Sequence, residues 1–100
     1  MMNDLILADE FCRGHRLEVS YLHSLQAFGL IEVIQTDGQV FIRREELPRL
    51  EKILVFHQEL QINLEGVDVI MNLLERITYL QDEAVQLRNR LKRYEDAPNN

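Results

Sequence analysis

The sequence predicts a mostly α fold: a winged helix-turn-helix head with a small β-hairpin, followed by a long C-terminal coiled-coil helix. Three observations predict it. Two short helical segments with apolar faces flank a break at Gly14-His15-Arg16. An Asp37-Gly38 pair lies between two β-prone runs. Beyond Asn63, apolar residues recur at alternating spacings of three and four through four heptads.

The head is built in order. Leu5-Ile6-Leu7 is a short apolar run suited to an edge strand against the core. Ala8 to Arg13 suits a short helix with Phe11 and Cys12 inward, ended by Gly14-His15-Arg16. A second helix runs from about Glu18 to Phe28, with Leu22, Leu25 and Phe28, and Leu17 just before it, on one face. Gly29 stands where a left-handed C-cap is expected. Two helices and a tight turn form a helix-turn-helix.

The hairpin pairs Ile31–Gln35 with Val40–Ile42. Asp37-Gly38 as a two-residue loop suits a type I′ turn, because glycine adopts positive φ freely and aspartate tolerates it. A third helix covers about Arg44 to Leu60, with Pro48 in its first turn, where amide hydrogens lack helical partners anyway. Leu47, Leu50, Leu54, His57 and Leu60 or Gln61 define its inward face. Asn63 suits the N-cap of the last helix, and Glu65 the positive end of that helix's dipole.

The last helix carries the clearest signal. Ile70, Leu73, Ile77, Leu80, Ala84, Leu87, Leu91 and Tyr94 occupy four heptads of a and d positions with no polar interruption. Val67, Met71 and Leu74 widen the apolar face in its first half, as expected of a segment that also packs on the head. The second half has the narrow seam alone, and so needs a partner helix. The expected organisation is a head over residues 1–62, a dimerisation helix over 63–95 and a frayed tail over 96–100.

Charge orients the pairing. Glu65, Asp68, Glu75, Asp82 and Glu83 make the early and middle helix acidic, whereas Arg88, Arg90, Lys92 and Arg93 make its end basic. An antiparallel homodimer sets the basic end of one copy beside the acidic part of the other. A parallel one stacks like on like.

The totals narrow the partners. The 100 residues carry 17 acids against 11 bases, a net charge of −6, and each third of the chain sums to −2. A chain that neutralises DNA phosphates usually presents a basic face. The single cysteine, Cys12, excludes an intramolecular disulfide and suits a reducing compartment as a small core residue. The N-terminal segment has neither the basic region nor the apolar run of a secretory signal, and no stretch is long and apolar enough for a membrane span. A cytoplasmic location is expected.

Together these elements resemble the MerR architecture. More narrowly, the chain resembles, from end to end, the CbpM family of chaperone modulators. The residues carrying this are Asp9-Glu10-Phe11-Cys12, Phe28-Gly29-Leu30-Ile31-Glu32, His57-Gln58-Glu59-Leu60 and Leu87-Arg88-Asn89-Arg90-Leu91-Lys92-Arg93-Tyr94. The resemblance implies a homodimer that binds the J-domain of a CbpA-like or DnaJ-like co-chaperone. Binding there would inhibit the co-chaperone's action on the Hsp70 chaperone DnaK. MerR transcription factors, by contrast, usually carry basic and aromatic residues on the second helix and arginines in the wing. Here Ser20-Tyr21-Leu22-His23-Ser24-Leu25-Gln26 contains no Lys or Arg, and the hairpin contains none before Arg43.

Candidate site residues follow from charge and expected exposure. For a basic protein partner they are Glu51, Glu59, Glu65, Asp68 and Glu75. For the alternative, a MerR-type DNA-binding regulator, they are Arg43, Arg44, Arg49 and Lys52, a modest basic cluster beside the wing with acids close by. No enzyme is expected. The sequence has no nucleophile motif or phosphate-binding loop, and adjacent carboxylates such as Glu45-Glu46 and Asp82-Glu83 diverge on helices. His15, His23 and His57 have no His or Cys at ligand spacing, so no metal or other cofactor is expected.

Overall fold

The computed structural model describes residues 4–96. The fold is mostly helical, with one small antiparallel sheet and a long C-terminal helix. In chain order the elements are β1 (Leu5–Leu7), α1 (Ala8–His15), α2 (Val19–Ala27), β2 (Val33–Thr36), β3 (Gln39–Arg43), α3 (Leu47–Leu54) and α4 (Leu64–Asp96). The chain divides into two compact units, Met1–Asp68 and Val69–Asn100.

The wing has three strands, in the order β1-β3-β2. The hairpin closes with Thr36 opposite Gln39, and both loop residues have positive φ: Asp37 at 53° and Gly38 at 73°. That is the type I′ geometry expected of Asp-Gly. β1 pairs antiparallel with the far side of β3, placing Ile6 opposite Ile42. The expected edge strand is therefore present, and its partner is the second hairpin strand. Ile31, expected in the hairpin, instead lies ahead of β2 and is buried.

α1 runs two residues beyond its expected end, through Gly14 to His15. The left-handed cap falls on Arg16, at φ 57°, with Leu17 N donating to Cys12 O at 2.8 Å. His15 extends the last turn by stacking on Phe11, with ring centroids 4.2 Å apart, and by placing Nδ1 3.1 Å from Phe11 O. At the end of α2, Gly29 does adopt the left-handed conformation, at φ 77°, and Leu30 N donates to Leu25 O at 3.0 Å.

The core of the first unit gathers one or two residues from each element. Ala8 and Cys12 of α1, Leu22 and Leu25 of α2, Leu30, Ile42 of β3, Leu50 and Ile53 of α3 and Val67 of α4 are almost completely buried. Phe28, expected inward, is instead 44% exposed, because it is the C-cap residue and the chain turns at Gly29.

The expected third helix is three structures in sequence. A 3-10 turn over Arg44–Glu46 leads into α3, with Pro48 in the first turn, and a π-helical turn over Val55–Glu59 ends it. In that turn Leu60 N donates to Val55 O, five residues back, at 2.9 Å. The wider turn shifts the helical phase, so Leu60 is 60% exposed and Gln61 becomes a left-handed terminator at φ 58°. Neither belongs to the inward face, whereas Ile53, absent from the expected set, is fully buried. Asn63 caps α4 as expected: Gly66 N donates to Asn63 Oδ1 at 2.7 Å. Asp96, expected in the tail, is the last helical residue, and the rest of that segment, residues 97–100, lies outside the described residues.

Two outcomes test this packing. Leu22→Ala should lower the stability to chemical denaturation by about 2–5 kcal/mol, the usual range for a buried leucine. A change below about 0.5 kcal/mol would contradict the assigned core. Burial, with Asp9 nearby, pushes the Cys12 thiol above its ordinary pKa. The unfolded chain therefore releases this proton first, and stability should fall as pH rises past about 8.5. Denaturation midpoints between pH 7 and 10 should show this loss, and Cys12→Ala should reduce it.

Candidate functional site

Within the first unit, α2 is the second helix of the helix-turn-helix, and its outward side is open to solvent. Ser20, His23, Ser24, Gln26 and Ala27 are exposed there, and none carries a fixed positive charge. Ser24 Oγ folds back onto Ser20 O at 3.2 Å, so part of this polar surface is turned toward its own backbone. Tyr21 points to the other side. Its hydroxyl lies 2.6 Å from His57 Nδ1, and the two rings stack with centroids 5.5 Å apart and planes 9° from parallel. With the imidazole proton on Nε2, the hydroxyl donates and the ring accepts. Burial pushes the Tyr21 phenol above its ordinary pKa, against an opposing hydrogen bond with Gln58. His57 belongs to the π-helical turn, so this contact ties the second helix of the motif to the end of α3. The tie was not legible in the sequence, which placed His57 only on an inward face.

The basic residues beside the wing do not form a uniform positive patch. Arg43 Nη1 lies 3.9 Å from Glu45 Oε1, a solvent-exposed pair. Arg43 and Arg44 line a groove of about 530 Å³ together with Asp4, Leu5 and Glu45. Arg49 is half-buried, and its Nε donates to Leu30 O at 2.7 Å, bracing the segment that follows α2. Glu46 Oε1 accepts from Glu32 N at 3.3 Å on the same side. Lys52 lies on α3 in a different groove, of about 360 Å³, with Pro48, Glu51, Val55 and Phe56. The four bases are therefore divided between two grooves and a structural hydrogen bond.

The acidic candidates are accessible. Glu51, Glu59 and Glu65 are exposed in the first unit and Asp68 is half-buried there. Glu51 stands on the rim of the mainly apolar α3 groove. Glu75 is exposed in the second unit.

The second unit is a single helix. Its stripe residues Leu73, Ile77, Leu80, Leu87 and Leu91 expose between 48% and 59% of their surface, and Tyr94 exposes 85%. Ile70 is half-buried and Ala84 exposed. Met71 is buried and Leu74 half-buried, on a side of the helix distinct from the stripe. An apolar row of this length facing water is unusual for a folded chain.

Among the described residues, no group of three or more His, Cys, Asp or Glu side chains is arranged to hold a metal ion. No helix there is long and apolar enough to cross a membrane.

Comparison with known proteins agrees with this geometry. No curated protein matches the chain significantly. The family model described as MerR HTH family regulatory protein matches residues 6–89, from the first strand of the wing to the last third of α4. The chain belongs to the MerR HTH family of regulatory proteins.

Proposed function

We propose that this protein is a non-enzymatic modulator of the CbpM type. It acts as an antiparallel homodimer that binds the J-domain of a CbpA-like or DnaJ-like co-chaperone and inhibits its action on DnaK. The observation that carries this reading is the neutral outer face of α2, in a family whose helix-turn-helix otherwise reads DNA. Without a cation on that helix, and with Arg49 donating to Leu30 O, the second helix of the motif has little to offer a phosphate backbone.

A basic protein surface suits it better. The net charge of −6 favours encounter with a positively charged partner. The α3 groove, lined by Pro48, Val55 and Phe56 with Glu51 and Lys52, is mainly apolar and suits the apolar face of an amphipathic helix. The J-domain engages its chaperone through such a helix in the family that this chain resembles. Covering that helix lowers the population free to meet DnaK, which is inhibition by competition. Dimerisation supplies two such heads per particle. Burying a leucine contributes about 1.5–3 kcal/mol, whereas a surface ion pair contributes about 0–1 kcal/mol. The stripe therefore provides the dimer's stability and the charges choose its orientation.

The alternative is a MerR-type DNA-binding regulator, favoured by the family membership and by Arg43 and Arg44 at the end of the wing. The two readings separate in solution. Calorimetric titration with the isolated J-domain at low salt should give micromolar or tighter binding, and Glu51→Lys with Glu59→Lys, both exposed and off α4, should weaken it at least tenfold, about 1.4 kcal/mol. No binding at micromolar concentration would overturn the modulator reading. A gel shift on the gene's own promoter should show no specific complex. A complex whose affinity falls with a log–log salt slope of several units would establish the DNA reading instead.

A further inference from the structure

We propose that two copies of this chain pair through α4 in one particular antiparallel register, with Arg76 of each copy beside the partner's Glu83. In it Ile70 faces the partner's Leu87, Leu73 faces the partner's Ala84 and Ile77 faces the partner's Leu80, each contact made twice by the two-fold axis. The inference rests on the dimer reading above and specifies its interface.

The charges flanking the stripe decide the register. The residue before the first stripe position of each heptad is Val69, Arg76, Glu83 and Arg90 in turn. In an antiparallel pair this row runs against the same row of the partner, where such positions form interhelical ion pairs. None of the three charged residues has an opposite charge three or four places away on its own helix. A partner helix can supply the opposite charge that their own helix does not.

Three registers keep the stripes in contact, and they differ by slides of one heptad, about 10.5 Å. The register with the most apolar overlap sets Ile70 against the partner's Tyr94. It also sets Arg76 beside the partner's Arg90 twice, and Glu83 beside the partner's Glu83. Sliding one way pairs Glu83 with the partner's Arg90, but it carries Ile70 and Leu73 past the partner helix's end at Asp96. Sliding the other way replaces every like-charge contact with Arg76 beside the partner's Glu83. It also keeps Ile70, Leu73 and Ile77 on the partner helix, and brings the basic end level with Glu65 and Asp68 of the partner subunit. Its two-fold axis passes between residues 78 and 79. At that point Glu75, Arg76, Tyr79 and Leu80 line a groove of about 320 Å³ on the helix, and the groove becomes the centre of the contact.

Spin-label distances read the register directly. In a Cys12→Ala background, Asn72→Cys and Asn89→Cys each place one label on an exposed position off the stripe. At 1.5 Å of rise per residue, the proposed register separates the two labels of a dimer along the helix by about 20 Å at position 72 and about 32 Å at position 89. The fully matched register gives about 30 and 21 Å, and the opposite slide about 40 and 10 Å. A parallel pair gives short separations, near the interhelical distance of about 10 Å, at both sites. Any of these three patterns overturns the proposal while leaving the dimer standing. Absence of dipolar coupling at micromolar concentration would overturn the dimer as well. A charge swap gives a second reading. Arg76→Glu should raise the dimer dissociation constant several-fold, and Arg76→Glu with Glu83→Arg should restore it. In the fully matched register the single change would tighten the dimer, by relieving Arg76 beside the partner's Arg90.

Discussion

The rest of the structure depends on one constraint: a row of leucines and isoleucines on α4 faces water with nothing on the described chain covering it. Leu73, Ile77, Leu80, Leu87 and Leu91 each leave about half of their surface accessible, and they line up because their spacings alternate between three and four. A helix of 33 residues can be held by its own backbone hydrogen bonds, but those bonds are blind to which face is apolar. The seam is what gives this helix a reason to find another, and the dimeric account follows from it.

The head shows a complementary economy. It has the scaffold of a helix-turn-helix, with Leu22 and Leu25 of α2 and Cys12 of α1 all buried. It retains the wing, stiffened by a third strand. Its second helix carries no lysine or arginine. The exposed side chains of α2 are serine, histidine, glutamine and alanine, and Arg49 of α3 braces the backbone that follows α2. A shared scaffold does not fix the partner, since function resides in the site and not in the fold.

Much of this was legible in the sequence where local chemistry decides. Asp37-Gly38, Gly29, Pro48 and Asn63 each do what their conformational preferences dictate, because turns and caps are settled within a few residues. The seam was legible because its period repeats four times. The illegible features are set by tertiary contact. Gly14 looked like a helix end, and a histidine stacking on Phe11 carried the helix past it. The π-helical turn at Val55–Glu59 has no composition of its own, so the phase shift that turns Leu60 outward had no signal. At the candidate site, the neutrality of α2 could be read directly, whereas the hydrogen bond from Arg49 to Leu30 O spans 19 residues and could not.

The most direct measurement of the central claim is the mass of the protein in dilute solution, by sedimentation equilibrium with circular dichroism on the same sample. The account predicts a helical particle of twice the 11.9 kDa chain mass at micromolar concentration, converted to single chains by Leu80→Glu. A fully helical, cooperatively folded single chain under those conditions would contradict it.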